Sequence, residues 1–466
     1  MQSRFDIAIL GGGAAGTLAA IQGLRQARTA DRIVLFEPGA RLAEGVAYAT
    51  ARGEHLLNVP TGRMSALADH PDDFLDWLAA RPGHHDTARE ALARGYAQRR
   101  DYALYLRDRL QQARHDSVAS LEVVPMRIDQ LRRADDHWQL HGADGRFEAR
   151  RVLLAVGNAA RPLPARGAST LPRPRRLDAW DYAGVAAIDA DAEVCIAGTG
   201  LSMVDAVLTL AGNGHRGRIH LLSRHGLLPL AHTPVHEVDD TLQPAELHGQ
   251  GVRARLRRLR RQVRDAATRG LPWQAVMERL RPHVQALWRS LPAGEQRRFL
   301  RHASRHWDIH RHRIAPSVHA VLRDLLDSGR LRIHRARLDM VAGGPRCVQL
   351  TARTRDGRGL VLDVDHVINA TGVEMRVQAM RNPLLEQLLG DGYARAGAHG
   401  IGLDCDAGGR LRDAAGVPQD DLRVIGSLRI GEAWESIAVP ELRVQAAEVI
   451  HAWRVPGGVL PAQLPG

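Results

Sequence analysis

The apolar run Phe5-Asp6-Ile7-Ala8-Ile9-Leu10 passes without a spacer into Gly11-Gly12-Gly13-Ala14-Ala15-Gly16. An apolar, helix-compatible segment, Thr17 to Gln26, comes next, and a second apolar run, Ile33-Val34-Leu35-Phe36, ends at Glu37. Strand, glycine turn, helix, strand and terminal acid within about 35 residues are the marks of a βαβ unit that binds a dinucleotide. Gly11 permits the tight turn, Gly13 lets backbone approach a pyrophosphate, and Gly16 lets helix and strand pack closely. The helix opens at Ala14 and Ala15, whose free N–H groups and positive dipole end suit phosphate. Glu37 is placed to accept hydrogen bonds from ribose hydroxyls. A glycine turn alone is weak evidence; the complete set is strong.

The pattern returns once. Glu193-Val194-Cys195-Ile196-Ala197 reads as a strand, and Gly198-Thr199-Gly200-Leu201-Ser202-Met203 turns into an apolar helix. Gly198, Gly200 and Ser202 are the expected phosphate contacts. Met203 stands where the third glycine belongs, so a purely structural turn competes with a second nucleotide site. The following strand, Arg218 to Leu222, ends at Ser223-Arg224 instead of an acid. An arginine there pairs with a 2′-phosphate and predicts NADPH over NADH. The rival reading is an ordinary surface arginine, for all 64 Lys-plus-Arg residues are arginine and the formal charge is +12. That excess could attract nucleic acid or anionic substrates. Because the arginines are dispersed along the chain, a solvated surface is the favoured reading, with no nucleic-acid partner.

Three further strand-like runs end in glycine: Arg151 to Gly157-Asn158, Val364 to Gly372, and Leu422 to Gly426. Gly157, Gly372 and Gly426 are positions where backbone can lie against a cofactor. A Pro-rich stretch through Pro174 makes a linker into the second unit. Between about 240 and 305 the periodicity is helical. Val252, Leu256, Leu259 and Val263 form one apolar stripe, with Arg253, Arg257, Arg260, Arg261 and Arg264 opposite. Such a helix could meet nucleic acid or a membrane surface, but a surface helix packed on its own domain is favoured. No run approaches the roughly 20 apolar residues of a membrane span. Asp6 within the first apolar run argues against a signal peptide, so a cytoplasmic location is expected. Cys195, Cys347 and Cys405 form no CxxC pair, which excludes a disulfide scaffold and a redox-active dithiol.

Several longer strings carry a resemblance. Gly45-Val46-Ala47-Tyr48, His55-Leu56-Leu57-Asn58-Val59-Pro60 and Gly62-Arg63-Met64-Ser65-Ala66 resemble a bacterial FAD/NAD(P)-binding family. The segments from Ser223 (SRHGLLPL), His306 (HWDIHRHRIAP) and Gly431 (GEAWESIAVPELRVQA) extend the likeness over nearly the whole chain. That family is similar to the flavin monooxygenases and amino-acid N-hydroxylases. The resemblance implies an α/β fold of two Rossmann-like dinucleotide-binding domains. The FAD-binding domain is split into residues 1–185 and 336–466, and an NAD(P)H-binding domain with the helical insertion occupies 186–335. It further implies that Gly11, Gly13, Gly16 and Glu37 hold the ADP moiety of FAD. The Leu56–Ser65 loop and the segment after Gly426 are expected to approach the flavin. Ser427, standing where many flavoproteins carry Asp, is a contact for the ribityl chain.

A flavin performs the redox step itself, so no side-chain nucleophile is required. The flavin-facing candidates are Asn58, Arg63, His310 and Trp434, each with an ordinary structural role as its alternative. His306, Asp308, His310 and His312 lie close in sequence but find no matching ligand set elsewhere, so no metal is expected. The leading expectation is an FAD-dependent, NADPH-consuming monooxygenase that uses molecular oxygen to hydroxylate a small metabolite, an amine among the candidates. A flavin-dependent dehydrogenase or reductase without oxygen insertion is the first alternative. A non-catalytic flavin-binding or nucleic-acid-associated protein is the second.

Overall fold

The computed structural model describes residues 4–39, 41–233, 235, 237–344 and 347–455. Ten strands build two parallel sheets. They are β1 (Arg4–Leu10), β2 (Arg32–Phe36), β3 (Ser120–Val124), β4 (Gly145–Leu154), β5 (Arg176–Asp178), β6 (Val194–Ala197), β7 (Ile219–Ser223), β8 (Leu331–Gly343), β9 (His366–Asn369) and β10 (Pro418–Val424). The first sheet runs β3-β2-β1-β4-β10. The second runs β8-β7-β6-β9-β5. Each carries an antiparallel hairpin, Ile128–Arg133 with Trp138–Gly142 beside β4, and Val348–Thr354 with Gly359–Val364 beside β8.

The β1 and β2 runs are continuously apolar because both faces of the sheet are covered. Ile7, Ile9, Ile33 and Leu35 join one core with the helix Ala14–Arg25. Ala8, Leu10, Val34 and Phe36 join another on the opposite face. The second sheet repeats the arrangement, with Val194 and Ile196 in one cluster and Cys195 and Ala197 in its counterpart.

The repetition extends to single bonds. Gly11 N donates to Phe36 O at 2.8 Å and Gly198 N to Leu222 O at 2.9 Å. Ala155 N donates to Leu10 O and Ala370 N to Ala197 O, both at 2.8 Å. The two glycine turns thus sit at equivalent places, where the strand order reverses beside β1 and beside β6. Ligands bind open α/β sheets at such points.

The expected boundaries at 185/186 and 335/336 need correction. The second sheet begins with β5, and the 335/336 boundary falls inside β8. The segment Val364 to Gly372 reads as a buried strand that either sheet could take. Its register, Ile368 against Ile196 and Asn369 against Ala197, places it in the second. The chain crosses between lobes at Ala159–Ala160 and again at Val373–Glu374, and these short strands pair antiparallel. The helical insertion also runs further than expected, through the helix Ser304–Arg311. In the helix Val252–Thr268, Val252 is buried but Leu256 is 37% exposed. Arg255 turns inward instead, donating to Gln250 O, Leu287 O and Ser290 Oγ at 2.7–2.8 Å. Among the described residues, no helix is long and apolar enough to cross a membrane.

Candidate active site

Glycine is enforced at the first turn by contact. A Cβ on Gly16 would stand 1.8 Å from Gly11 O, and one on Gly11 would stand 2.3 Å from Ala155 O at a φ of +109°. Gly13 differs. A Cβ there would meet only the backbone of Gly45, at 3.6 Å, so its peptide borders open space. The helix Ala14–Arg25 has neither a side-chain cap nor an acid in its first turn, leaving donors free for an anion. Glu37 Oε2 accepts from Gly12 N at 2.7 Å and Oε1 from Gly39 N at 2.8 Å, which fixes the carboxylate at the end of β2. These features form a cradle that could hold a dinucleotide diphosphate.

The end of β10 closes the cradle. A Cβ on Gly426 would lie 3.5 Å from Ala15 Cβ, so this turn abuts the start of the first helix. Gly426 N donates to Gln445 Oε1, Ser436 Oγ donates to Gly426 O, and Gln445 Nε2 donates to Ser436 O, all at 2.8–2.9 Å. Ser427 Oγ donates to Gly157 O at 2.8 Å. The last helix, Val439–Arg454, carries Pro440 and Glu441 in its first turn.

At the second turn, a Cβ on Gly198 would lie 2.2 Å from Ala370 O at a φ of +112°. Met203, in the third glycine position, is fully buried core instead. Ser202 Oγ accepts from Trp180 Nε1 at 3.2 Å. Arg224 is exposed at the end of β7, and Ser223 Oγ bonds Thr199 Oγ1 at 3.1 Å and Gly226 N at 3.0 Å. Gly157 and Gly372 take positive φ with nothing near their Cβ positions, at the two points where the chain is about to change lobes.

The helix Ser304–Arg311 runs from the second turn to the Glu435–Ser436 segment. From its first turn, Arg305 Nη2 donates to Thr199 O at 2.6 Å. Further along, Trp307 Nε1 donates to Glu435 Oε1, and Arg311 Nε lies 2.6 Å from Glu435 Oε2. Glu435 immediately precedes Ser436 and holds a φ of +67°, a left-handed conformation that costs free energy outside glycine. Strain of this kind concentrates at functional sites. Burial raises the Asp308 carboxyl to about 6, with Arg305 opposing and Glu435 reinforcing. Between pH 3.8 and about 6 the folded state therefore binds more protons here than the unfolded chain, and stability falls as pH rises. Asp308→Asn is expected to raise the melting temperature at pH 7.5 but not at pH 4. An equal gain at both pH values would contradict this reading.

The remaining candidates scatter. Asn58 O accepts from His232 Nε2 at 3.0 Å. Arg63 is 53% exposed and donates to Glu278 Oε2 at 2.8 Å, while Arg313 binds the other oxygen of the same carboxylate. Burial alone would raise Glu278, but Arg63 and Arg313 outweigh it and hold the group at about 2. His310 Nδ1 pairs with His306 O at 2.7 Å, and its ring meets the Trp273 ring edge-on at 5.0 Å. Trp434 packs with Trp288 and Phe299 in an aromatic cluster shared with the helical insertion.

Sequence reasoning gave no role to Arg305, Glu435, Ser436, Gln445 or Gly45, although all five lie in or beside strings already singled out. It also missed the lobe contact. Arg99 Nη1 donates to Asp205 Oδ2 at 2.6 Å, with the side chains 14% and 7% exposed. Fully buried His55 bonds Thr50, Thr209 and the carbonyl of Asp205 at 2.7–3.1 Å.

Residues 8–159 match a family model described as FAD-NAD(P)-binding. No curated protein matches in sequence. The ornithine N-hydroxylase of Kutzneria sp. 744, solved with reduced FAD, NADP+ and L-ornithine, is similar at TM-score 0.68 and 15% identity, covering 97% of this chain and 99% of that one. The FAD-bound cadaverine monooxygenase of Erwinia amylovora is similar at TM-score 0.67 and 13% identity, covering 100% and 99%. The bacillithiol disulfide reductase of Staphylococcus aureus follows at TM-score 0.57 and 13% identity, covering 97% and 98%. At these identities the likeness is one of fold. Residues 8–159 thus match an FAD-NAD(P)-binding domain, and the whole chain shares its fold with these enzymes.

Proposed function

We propose that the protein is an FAD-dependent, NADPH-consuming monooxygenase that hydroxylates a small amine. The observation that carries this reading is the pair of equivalent glycine turns at the reversal points of two parallel sheets, with the helix Ser304–Arg311 reaching from the second to Glu435. Bound FAD supplies a two-electron relay between NADPH and oxygen. The chain's own residues orient and enclose. Gly13, Ala14 and Ala15 take the FAD diphosphate, Glu37 the adenosine ribose, and Gly157, Gly426 and Ser427 border the rest of the cofactor. Gly198, Gly200 and Arg224 take NADPH. The amine subsite lies on the flank of the bridging helix, where Glu441 Oε2 is buried without a hydrogen-bond partner. Burial raises that carboxyl, with Arg281 and Arg311 opposing.

A disulfide-reductase reading requires an accessible thiolate. Cys195 and Cys405 are buried, with burial pushing each thiol up to about 12, and the half-buried Cys347 has no CxxC partner. The monooxygenase reading has the better chemistry.

The test is NADPH oxidation by the purified yellow protein with a panel of small diamines and diamino acids under labelled oxygen. The expected product is a hydroxylated amine carrying one labelled atom, in step with NADPH consumed. NADPH oxidation that proceeds without oxygen uptake would instead establish a dehydrogenase. Arg224→Ala is expected to raise KM for NADPH by about tenfold or more, the worth of a lost charge-assisted bond, and to leave NADH nearly unchanged. Equal effects on the two coenzymes would remove the 2′-phosphate assignment.

A further inference from the structure

The second glycine turn has an arginine that its own βαβ unit does not supply. Arg305 reaches it from the far side of the helical insertion. Its Nη2 donates to Thr199 O at 2.6 Å and Leu227 O at 2.9 Å, and lies 3.4 Å from Thr199 Oγ1. Its Nη1 lies 3.9 Å from where a Cβ on Gly200 would stand. Every one of these hydrogen-bond acceptors is neutral, so the positive charge beside the turn is not cancelled at contact. Asp308 acts on it only at longer range, and burial works against the charged form. The surroundings are cationic as well. Burial holds His225 below its ordinary value, Arg224, His306, Arg305 and Arg355 lower it further, and the ring of His306 lies 6.1 Å from that of His225.

A half-buried guanidinium held by carbonyls, with one nitrogen turned toward a glycine that leaves space, is prepared for an anion. Arg224 stands at the end of β7, where the adenosine ribose of a dinucleotide lies in a fold of this kind. Arg305 stands at the turn itself, where the diphosphate lies. We propose that Arg305 binds the pyrophosphate of the nicotinamide dinucleotide, so that the second site is completed by a residue of the helical insertion. This rests on reading the second turn as the coenzyme site. It divides the labour between two arginines: Arg224 reads the 2′-phosphate that only NADPH carries, and Arg305 holds the diphosphate that NADPH and NADH share.

The experiment titrates the flavin-loaded enzyme with NADPH, NADH, ADP-ribose and adenosine 2′-monophosphate, by nicotinamide fluorescence or calorimetry, at several salt concentrations. Arg305→Gln is expected to weaken NADPH, NADH and ADP-ribose together by about ten- to a hundredfold, the range for one charged hydrogen-bonding partner. Adenosine 2′-monophosphate, which lacks a diphosphate, keeps its affinity, and the salt dependence of NADPH binding becomes shallower. Arg305→Lys, which keeps the charge, recovers part of the affinity and the steeper salt dependence. Arg224→Ala gives the opposite fragment pattern, losing adenosine 2′-monophosphate and sparing ADP-ribose. The proposal is overturned if Arg305→Gln binds NADPH and NADH as the parent does. It is overturned equally if adenosine 2′-monophosphate is lost alongside ADP-ribose, or if lysine restores nothing, since those results describe a turn that has lost its brace. Failure of the parent enzyme to bind any of the four ligands would refute the coenzyme site itself.

Discussion

Gly16→Ala is expected to yield a protein that retains no FAD and melts well below the parent. The added Cβ would lie 1.8 Å from Gly11 O, and that oxygen belongs to the turn joining β1 to the helix Ala14–Arg25. Neither backbone can retreat cheaply, because Gly11 N is tied to Phe36 O at 2.8 Å and both flanking strands are buried. Overpacking at such a contact costs about 1–3 kcal/mol or more, and it falls where the cofactor would lie. Gly13→Ala separates the two consequences. Its Cβ meets nothing nearer than 3.6 Å, so the fold is expected to survive while the methyl occupies space meant for the diphosphate. The pair is read from the flavin absorbance and melting curve of each purified variant. Gly16→Ala that keeps both its colour and its melting temperature would refute the packing argument. Yellow Gly13→Ala would refute the placement of the diphosphate.

Asp205→Ala carries the second large effect. It leaves the Arg99 guanidinium, 14% exposed, without its carboxylate between the lobes. Removing one partner of a buried pair costs about 3–5 kcal/mol, because the other charge stays desolvated. The expected result is a clear fall in the denaturant midpoint, accompanied by faster proteolysis between the lobes. Removing both partners, with Arg99→Met added to Asp205→Ala, is expected to recover much of the loss, since no orphaned charge remains. A double variant no better than the single one would show that the contact works through His55 and packing.

The first turn was legible because every determinant is local. The strand, the three glycines and Glu37 lie within one βαβ unit, and geometry explains each of them. Arg224 was legible for the same reason, as a strand-end residue at a defined place. The domain boundaries were not, because β5 is only three residues long, β8 is rich in arginine, and neither these nor the buried β9 carry a mark of the sheet they join. Only pairing, such as Ile368 with Ile196, decides it. Arg305 and Glu435 were illegible for another reason. Arg305 stands 106 positions from Thr199, and Trp307 stands 128 positions from Glu435. No periodicity records such a meeting. Trp434 attracted notice as an aromatic near a cofactor segment, but its ring satisfies the helical insertion through Trp288 and Phe299.

The pairing of Ala159–Ala160 with Val373–Glu374 gives the molecule a property of its own. The chain leaves the first lobe and returns to it through neighbouring strands, about 5 Å apart. The second lobe is therefore a loop closed at its base, in the topological sense, and its removal would leave two ends that a very short link could rejoin. Lobes attached in this way can be exchanged between chains as cassettes without rethreading the first sheet. A compatible cassette would have to bring an acid at position 205 to meet Arg99, together with partners for Arg63, Glu435 and Trp434.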